Sequence, residues 1–212
     1  MELLRVESLG CQRCGLAAGR TNVVFGEGNP SAPLVLVGEG PGETEDATGR
    51  PFVGRAGQLL DQALKQAGMT RKHVYICNIV KCRPTLTEGG RLRNRAPAPD
   101  EIEACSDWLG RQLRAISPLV IVCLGAPSAN ALIHKGFRIT AERGEWFTSQ
   151  YARAITATFH PAYVLRQGGA AYEQGYGALM GDLLAARHKV IELRSEPVAE
   201  PTVEEEEQLS LF

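Results

Sequence analysis

Four short apolar runs rich in β-branched residues divide this chain: Leu34 to Val37, Val74 to Val80, Leu119 to Leu124 and Ile155 to Phe159. They are too short for core helices and lack the alternation of half-exposed strands, so they read as strands buried on both faces. Helical patterns lie between them, at Ala56 to Ala67, at Asp100 to Ile116 opened by Pro-Asp, and at Ala126 to Ile133. A last helix is expected from Tyr172 to Leu193. Strand alternating with helix implies a parallel sheet covered by helices on both faces, an α/β fold. Such sheets bind ligands at the carboxyl ends of their strands. Here each run passes into a polar or glycine-bearing loop: Gly38 to Gly42, Lys81 to Pro84, Gly125 to Pro127 and His160 to Tyr163. All four loops are expected at one edge of the sheet.

A chain of 212 residues that is 44% hydrophobic can bury one substantial core. That core is assigned to residues 1–194. From Ser195 onward Pro, Glu, Val and Thr dominate without periodicity, so 195–207 reads as an acidic disordered linker ahead of a short tail, 208–212. The overall formal charge of -1 conceals an asymmetry, because the last 18 residues carry six Glu and no Lys or Arg. Residues 1–194 therefore hold 23 basic against 18 acidic side chains, a balance suited to a polyanionic partner. No apolar run approaches the roughly 18 residues of a membrane span, and the N-terminus lacks a basic start followed by an apolar stretch. A cytoplasmic protein without membrane contact is expected.

Six cysteines in a reducing compartment are more readily metal ligands or buried thiols than disulfides. Cys11 and Cys14 form a C-x-x-C that can place two thiolates on one metal. Cys82 follows a strand, and Cys105 lies near the start of the helix from Asp100. Four thiolates converge if these elements pack beside the N-terminal segment. Cys77 and Cys123 fall inside strands, where a free Cys behaves as a small hydrophobe. Four Cys fit either tetrahedral zinc or an iron-sulfur cube, and spacing alone leaves both open.

The Gly38 to Gly42 loop could cradle a phosphate, but it is not G-x-G-x-x-G, and Pro41 removes a backbone donor. Its neighbours Glu39, Glu43, Glu45 and Asp46 are acidic. That suits a site that polarises water or stabilises a cation, and equally a solvated acidic turn.

The runs Val24 to Pro30, Gly38 to Asp46, Thr48-Gly-Arg-Pro-Phe-Val-Gly54, Asn78-Ile-Val-Lys-Cys-Arg-Pro84 and His160-Pro-Ala-Tyr163 together resemble family 4 uracil-DNA glycosylases. The resemblance extends in order across most of residues 10–190. It implies a three-layer αβα sandwich around a mainly parallel four-stranded sheet, acting as a monomer near the nucleoid on uracil-containing DNA. It also implies a [4Fe-4S] cluster on Cys11, Cys14, Cys82 and Cys105. In its pocket Phe52 would stack on a flipped uracil, Asn78 would bond the Watson-Crick edge, Glu39, Gly40 and Pro41 would line the wall, and His160 would face O2.

These roles have independent physical sense. A base must leave the duplex before its glycosidic bond can be reached. An aromatic platform then returns about 1–3 kcal/mol by stacking. Stacking cannot separate uracil from cytosine, whereas a donor and an acceptor on Asn78 can. A donor from His160 at O2 would stabilise the departing uracil anion. Phe52 as a plain core aromatic, and Asn78 as a plain strand-end hydrogen-bonder, are the alternatives. Glu39 and Glu45 are both candidates to position water or stabilise the sugar cation. Related families place an Asp or Asn in this loop where the chain has Gly40.

Lys81, Arg83, Arg91, Arg93 and Arg95 form a basic segment with one Glu88, expected to contact the DNA backbone across a loop that Gly89-Gly90 makes flexible. Against the family pattern Thr85 to Arg93 looks like an insert. It carries no His that could capture the sugar, which argues for ordinary turnover. The ending Gln208, Leu209, Ser210, Leu211, Phe212 resembles the pentapeptide with which bacterial repair proteins dock on the sliding clamp. A non-catalytic iron-sulfur nucleic-acid-binding module, related to DNA polymerase accessory proteins, is the alternative function.

Overall fold

The four apolar runs become the parallel core of a five-stranded sheet. A computed structural model describes residues 1–196. Most of the acidic linker and all of the clamp-like pentapeptide lie outside the described residues. In chain order the elements are α1 (Glu2–Leu9), α2 (Leu16–Gly19), β1 (Glu27–Gly28), β2 (Leu34–Gly38), α3 (Glu43–Thr48), α4 (Arg55–Gln66), a 3-10 turn (Arg71–His73), β3 (Tyr75–Asn78), β4 (Thr85–Glu88) and β5 (Arg91–Asn94). There follow α5 (Pro99–Ile116), β6 (Val120–Leu124), α6 (Ala126–Leu132), α7 (Ile139–Glu142), β7 (Ala154–Thr158), α8 (Pro161–Arg166) and α9 (Gly169–Ser195).

The sheet order is β1-β3-β2-β6-β7, with β3, β2, β6 and β7 parallel. The expected four-stranded sheet gains one member: β1 pairs antiparallel with β3 at the edge. Two residues, Glu27 and Gly28, carry no apolar pattern that could have announced it. Alternate residues of each strand serve opposite layers. Leu34 and Leu36 pack with Leu60, Leu64, Leu179 and Leu183 of α4 and α9. Val35 and Val37 pack with Leu109 and Leu113 of α5. The stripe Leu179, Leu183, Ala186, Val190 and Leu193 recurs at helical spacing, so α9 buries one face on the sheet along most of its length. Pro99 opens α5, and the Glu101 carboxylate accepts from the Ala98 N–H at 2.7 Å, satisfying a donor the helix itself cannot use. Among the described residues no helix is long and apolar enough to cross a membrane.

Residues Thr85 to Asn94 are not a flexible loop but an antiparallel hairpin of β4 and β5. Gly89 and Gly90 both adopt positive φ, 58° and 74°, the combination a two-residue type I′ turn requires.

Candidate active site

Chain order places the switch point at β2, whose neighbours β3 and β6 are reached in opposite directions. A cleft of about 400 Å³ opens there, lined by Glu39, Gly40 and Pro41 after β2, Asn78 at the end of β3, and His160 after β7. Glu45, Phe52, Asn94 and Arg95 are also part of its wall. The five side chains singled out for base recognition and chemistry (Glu39, Glu45, Phe52, Asn78, His160) thus share one cavity.

Phe52 is buried, and its ring belongs both to the packed layer beneath α4 and to the cleft wall. Phe52 is thus both a core aromatic and part of the cleft wall. Its centroid lies 5.7 Å from that of His160. The tip of the ring rests over Gly38, where an added Cβ would come within 2.4 Å of Phe52 Cζ and 2.5 Å of Asn78 Oδ1. Only glycine at the end of β2 lets the platform and the amide approach this closely.

Phe52 also has φ 53°, a left-handed conformation that costs a non-glycine residue on the order of 1–3 kcal/mol. Neighbours hold it there. Glu45 Oε1 accepts from the amides of Val53 at 2.9 Å and Gly54 at 2.8 Å. Arg71 donates to the carbonyls of Pro51, at 3.0 Å, and Phe52. Gly57 lies so close beneath that a Cβ there would stand 1.7 Å from the Phe52 oxygen.

Asn78 is 1% exposed, and its Oδ1 has no hydrogen-bond partner among the described residues. Leaving a buried acceptor unpaired costs about 1–3 kcal/mol, which invites an N–H donor from a ligand.

His160 caps α8: its Nδ1 accepts from the Ala162 N–H at 3.0 Å. With Nδ1 acting as acceptor, the proton of the neutral ring sits on Nε2. Burial, aided by the Arg166 charge, pulls the pKa of His160 down to about 4, so the ring is neutral at physiological pH and can donate from Nε2.

The acidic residues divide by role. Asp46 is buried and accepts from the Thr21 N–H at 2.9 Å, tying α3 to the segment before β1. Glu45 is engaged with the Phe52 loop. Burial raises the pKa of Glu39, with Arg166 opposing.

The basic segment divides too. Lys81 is buried, with Nζ 2.8 Å from the Asn78 carbonyl. Arg83 is buried and donates to Asn94 Oδ1 at 2.7 Å. Arg95 forms a two-pronged pair with Glu101 at 2.7 and 2.6 Å. These three side chains thus have partners within the fold. Arg91 and Arg93 on the hairpin are exposed, and Arg93 lies 3.1 Å from Glu88.

Cys11, Cys14, Cys82 and Cys105 line a second cavity, between the N-terminal segment and α5. Three of the sulfurs receive N–H groups: Cys11 from Trp108 Nε1 at 3.3 Å, Cys105 from the Lys81 amide at 3.3 Å, and Cys82 from Arg20 Nη1 at 3.6 Å. Donors of this kind stabilise thiolates and tune the centres they bind. Trp108 itself is held between Arg13 and Arg111, 4.6 and 5.0 Å from its ring. Burial pushes the Cys82 thiol up to about 11, against the pull of Arg20, so its thiolate needs further positive charge. The Lys81 ammonium, which has no acidic partner among the described residues, needs negative charge nearby. Among the described residues no three His, Cys, Asp or Glu side chains gather closely enough to hold a single ion. Cys77 and Cys123 are fully buried in β3 and β6, away from this cavity.

Sequence reasoning missed Arg71, which donates to the Pro51 and Phe52 carbonyls from a short turn, and Gly57, which sits beneath Phe52. Neither position carries a local signal, because each acts through a neighbour met only after folding.

A switch-point cleft on an αβα sandwich, lined by Phe52, Asn78 and His160, belongs here to a chain of the uracil-glycosylase class, as comparison with known proteins shows. The sequence profile described as the Uracil DNA glycosylase superfamily matches residues 25–183. A type-4 uracil-DNA glycosylase of Thermotoga maritima is 47% identical over 167 residues, covering 78% of this chain and 83% of the relative. Type-4 enzymes of Sulfurisphaera tokodaii and Archaeoglobus fulgidus are 43% and 42% identical, covering 78% and 75% of this chain and 76% and 80% of their own. The chain belongs to the type-4 uracil-DNA glycosylases.

Proposed function

We propose that this protein excises uracil from DNA by hydrolysing its N-glycosidic bond, leaving an abasic site for base-excision repair. The observation that carries this reading is the buried, unpartnered Oδ1 of Asn78 beside the Phe52 ring. A flipped uracil supplies what the site lacks: a flat face for Phe52, an N3–H for Asn78 Oδ1, and an O4 for the Asn78 amide. Cytosine would bring an unprotonated N3 and an amine to the same two groups, leaving both mismatched. The test is to incubate the protein with oligonucleotides containing uracil or cytosine and to quantify free base. Release of uracil alone is expected; equal release of both, or of neither, would overturn the reading.

In the reaction water adds to C1′ of the sugar as the bond to N1 of uracil breaks; the bonding electrons leave with the base, and the water's extra proton passes to the Glu39 carboxylate and from there to solvent or the released uracil anion. His160 donates from Nε2 to O2, where the charge collects. Glu39 is the carboxylate assigned to the water and the developing sugar cation, since Glu45 is engaged in bracing Phe52. Its burial strengthens it as a base once ionised.

The hairpin arginines Arg91 and Arg93 are assigned to duplex phosphates flanking the cleft; their exposure, and the place of the root residue Asn94 in the cleft wall, support this. Replacing both by Ala should weaken DNA binding and flatten its log-log salt dependence by roughly 0.9 for each phosphate no longer neutralised. An unchanged slope would remove the hairpin from the DNA surface.

Cys11, Cys14, Cys82 and Cys105 are assigned to a [4Fe-4S] cluster. A cube takes one thiolate at each of four corners, which suits four cysteines spread around one cavity. The N–H groups aimed at three of the sulfurs are of the kind that tune such a centre. The cluster's negative charge would also answer the buried Lys81. When bound it supplies a cross-link between the N-terminal segment, the turn after β3 and α5. Purified protein should be brown, with visible absorption that bleaches on reduction; a colourless protein containing zinc contradicts the assignment.

The ending Gln208 to Phe212 is proposed to dock on the sliding clamp. The Gln offers a hydrogen-bonding head, and the Leu and Phe an apolar plug. Deleting these five residues should abolish clamp binding and spare uracil release from a free oligonucleotide. Unchanged clamp affinity would sink this reading.

A further inference from the structure

We propose that Arg71 is a positioning residue for the uracil-stacking platform, acting through the backbone of Phe52; the inference rests on the uracil reading above. Among the described residues only Phe52 and Ser117 have positive φ without being glycine, and only Phe52 lines the cleft. If its backbone relaxed to an ordinary conformation, the ring would swing away from Gly38 and His160. Three features oppose that relaxation. Glu45 fixes the two amides that follow, Gly57 leaves room for the carbonyl, and Arg71 fixes two carbonyls, those of Pro51 and Phe52.

Arg71 is itself prepared for this work. Its Nε donates to Asp61 Oδ1 on α4 at 2.7 Å, leaving the two terminal nitrogens for Pro51 and Phe52. It stands in the 3-10 turn after α4, which is closed by a capping box between Thr70 and His73, with the Thr70 N–H 2.9 Å from His73 Nδ1. The guanidinium therefore ties the turn, α4 and the Phe52 loop together with three donors in one plane. A lysine carries one ammonium and cannot reproduce that planar fork. Arg71 is mostly buried and belongs to no part of the cleft wall, so its influence on a bound base passes through Phe52.

The experiment is a double-mutant cycle on the full chain, read as kcat/KM for uracil release and as inhibition by free uracil. Arg71→Met is expected to lower kcat/KM about tenfold or more and to weaken inhibition by uracil in parallel, with Arg71→Lys recovering little. In a Phe52→Ala background the same substitution should change kcat/KM less than about twofold, since the platform it positions is gone. Equal losses in both backgrounds would make Arg71 a general structural residue and overturn the proposal, as would no loss in either. If Arg71→Met fails to fold, Asp61→Ala, which frees the guanidinium at a half-exposed carboxylate, should give a smaller loss with the same dependence on Phe52; a loss independent of Phe52 overturns the proposal. Uracil release by the unaltered protein is the control: its absence would defeat the uracil reading itself, whereas its presence with a flat cycle defeats only the role of Arg71.

Discussion

Asn78→Ala is expected to lower kcat/KM for uracil release by about 10²–10⁴-fold and to erase most of the preference over cytosine. The size of the effect follows from what the truncation leaves behind. A bound uracil would keep N3–H and O4 in a buried site with no partner for either, at about 1–3 kcal/mol each. Sites that read such groups by hydrogen bonding commonly discriminate by about 10⁴-fold, and that margin disappears with the reader. Asn78 sits at the end of β3, 1% exposed, with its main-chain carbonyl accepting from Lys81 Nζ at 2.8 Å, so its backbone is held before any base arrives. The fold should survive, because the side-chain oxygen accepts no hydrogen bond from the described residues. Parallel rates on uracil and cytosine oligonucleotides check the result. A loss below about tenfold would mean that some other group reads the base.

His160→Ala should reduce kcat by about 10²–10³-fold, the range found when one donor to a developing oxyanion is removed, at about 2.7–4 kcal/mol. KM should move much less, because the interaction strengthens only as charge builds on O2. The pH dependence carries a second signature. Burial holds His160 neutral down to about pH 4, so its protonation should not limit the unaltered enzyme between pH 5 and 8. The acid limb of the profile is expected to follow Glu39, whose pKa is raised by burial. Activity should therefore rise with pH as that carboxyl loses its proton, over a range above that of an ordinary glutamate. Glu39→Gln should remove this limb, whereas His160→Ala should lower the whole profile and leave the limb in place. A limb that vanishes with His160 instead would reassign the titrating group.

Much of the frame was legible because buried parallel strands advertise themselves. Leu34 to Val37 and Leu119 to Leu124 are apolar throughout, since both faces of β2 and β6 are covered. The same rule hid β1, whose two residues are held by the neighbouring strand rather than by their own apolarity. The hairpin was missed for a different reason. Gly89-Gly90 is a recognised type I′ turn, but the flanks Thr85-Leu-Thr-Glu88 and Arg91-Leu-Arg-Asn94 alternate too weakly to separate from a charged loop. Its exposure explains the weakness: no core lies beneath it to demand an apolar face.

The site was legible wherever a residue acts by its own side chain. Asn78 and His160 stand at strand ends, as the loop pattern anticipates, and the four cysteines do line one cavity. The partners of Lys81, Arg83 and Arg95 within the fold were not legible, because a charge in sequence carries no sign of its future partner. Glu101, Asn94 and the Asn78 carbonyl claim these side chains only once α5, the hairpin and β3 are assembled. Glu45 likewise lies in the cleft wall, yet one of its oxygens is engaged by the backbone that shapes Phe52.

Uracil excision itself is tested with the full chain under single-turnover conditions on a duplex with one uracil opposite guanine. Alkali treatment should then break the strand at the uracil position alone. A strand that stays intact, with the protein demonstrably folded, would contradict the assignment of this cleft to uracil.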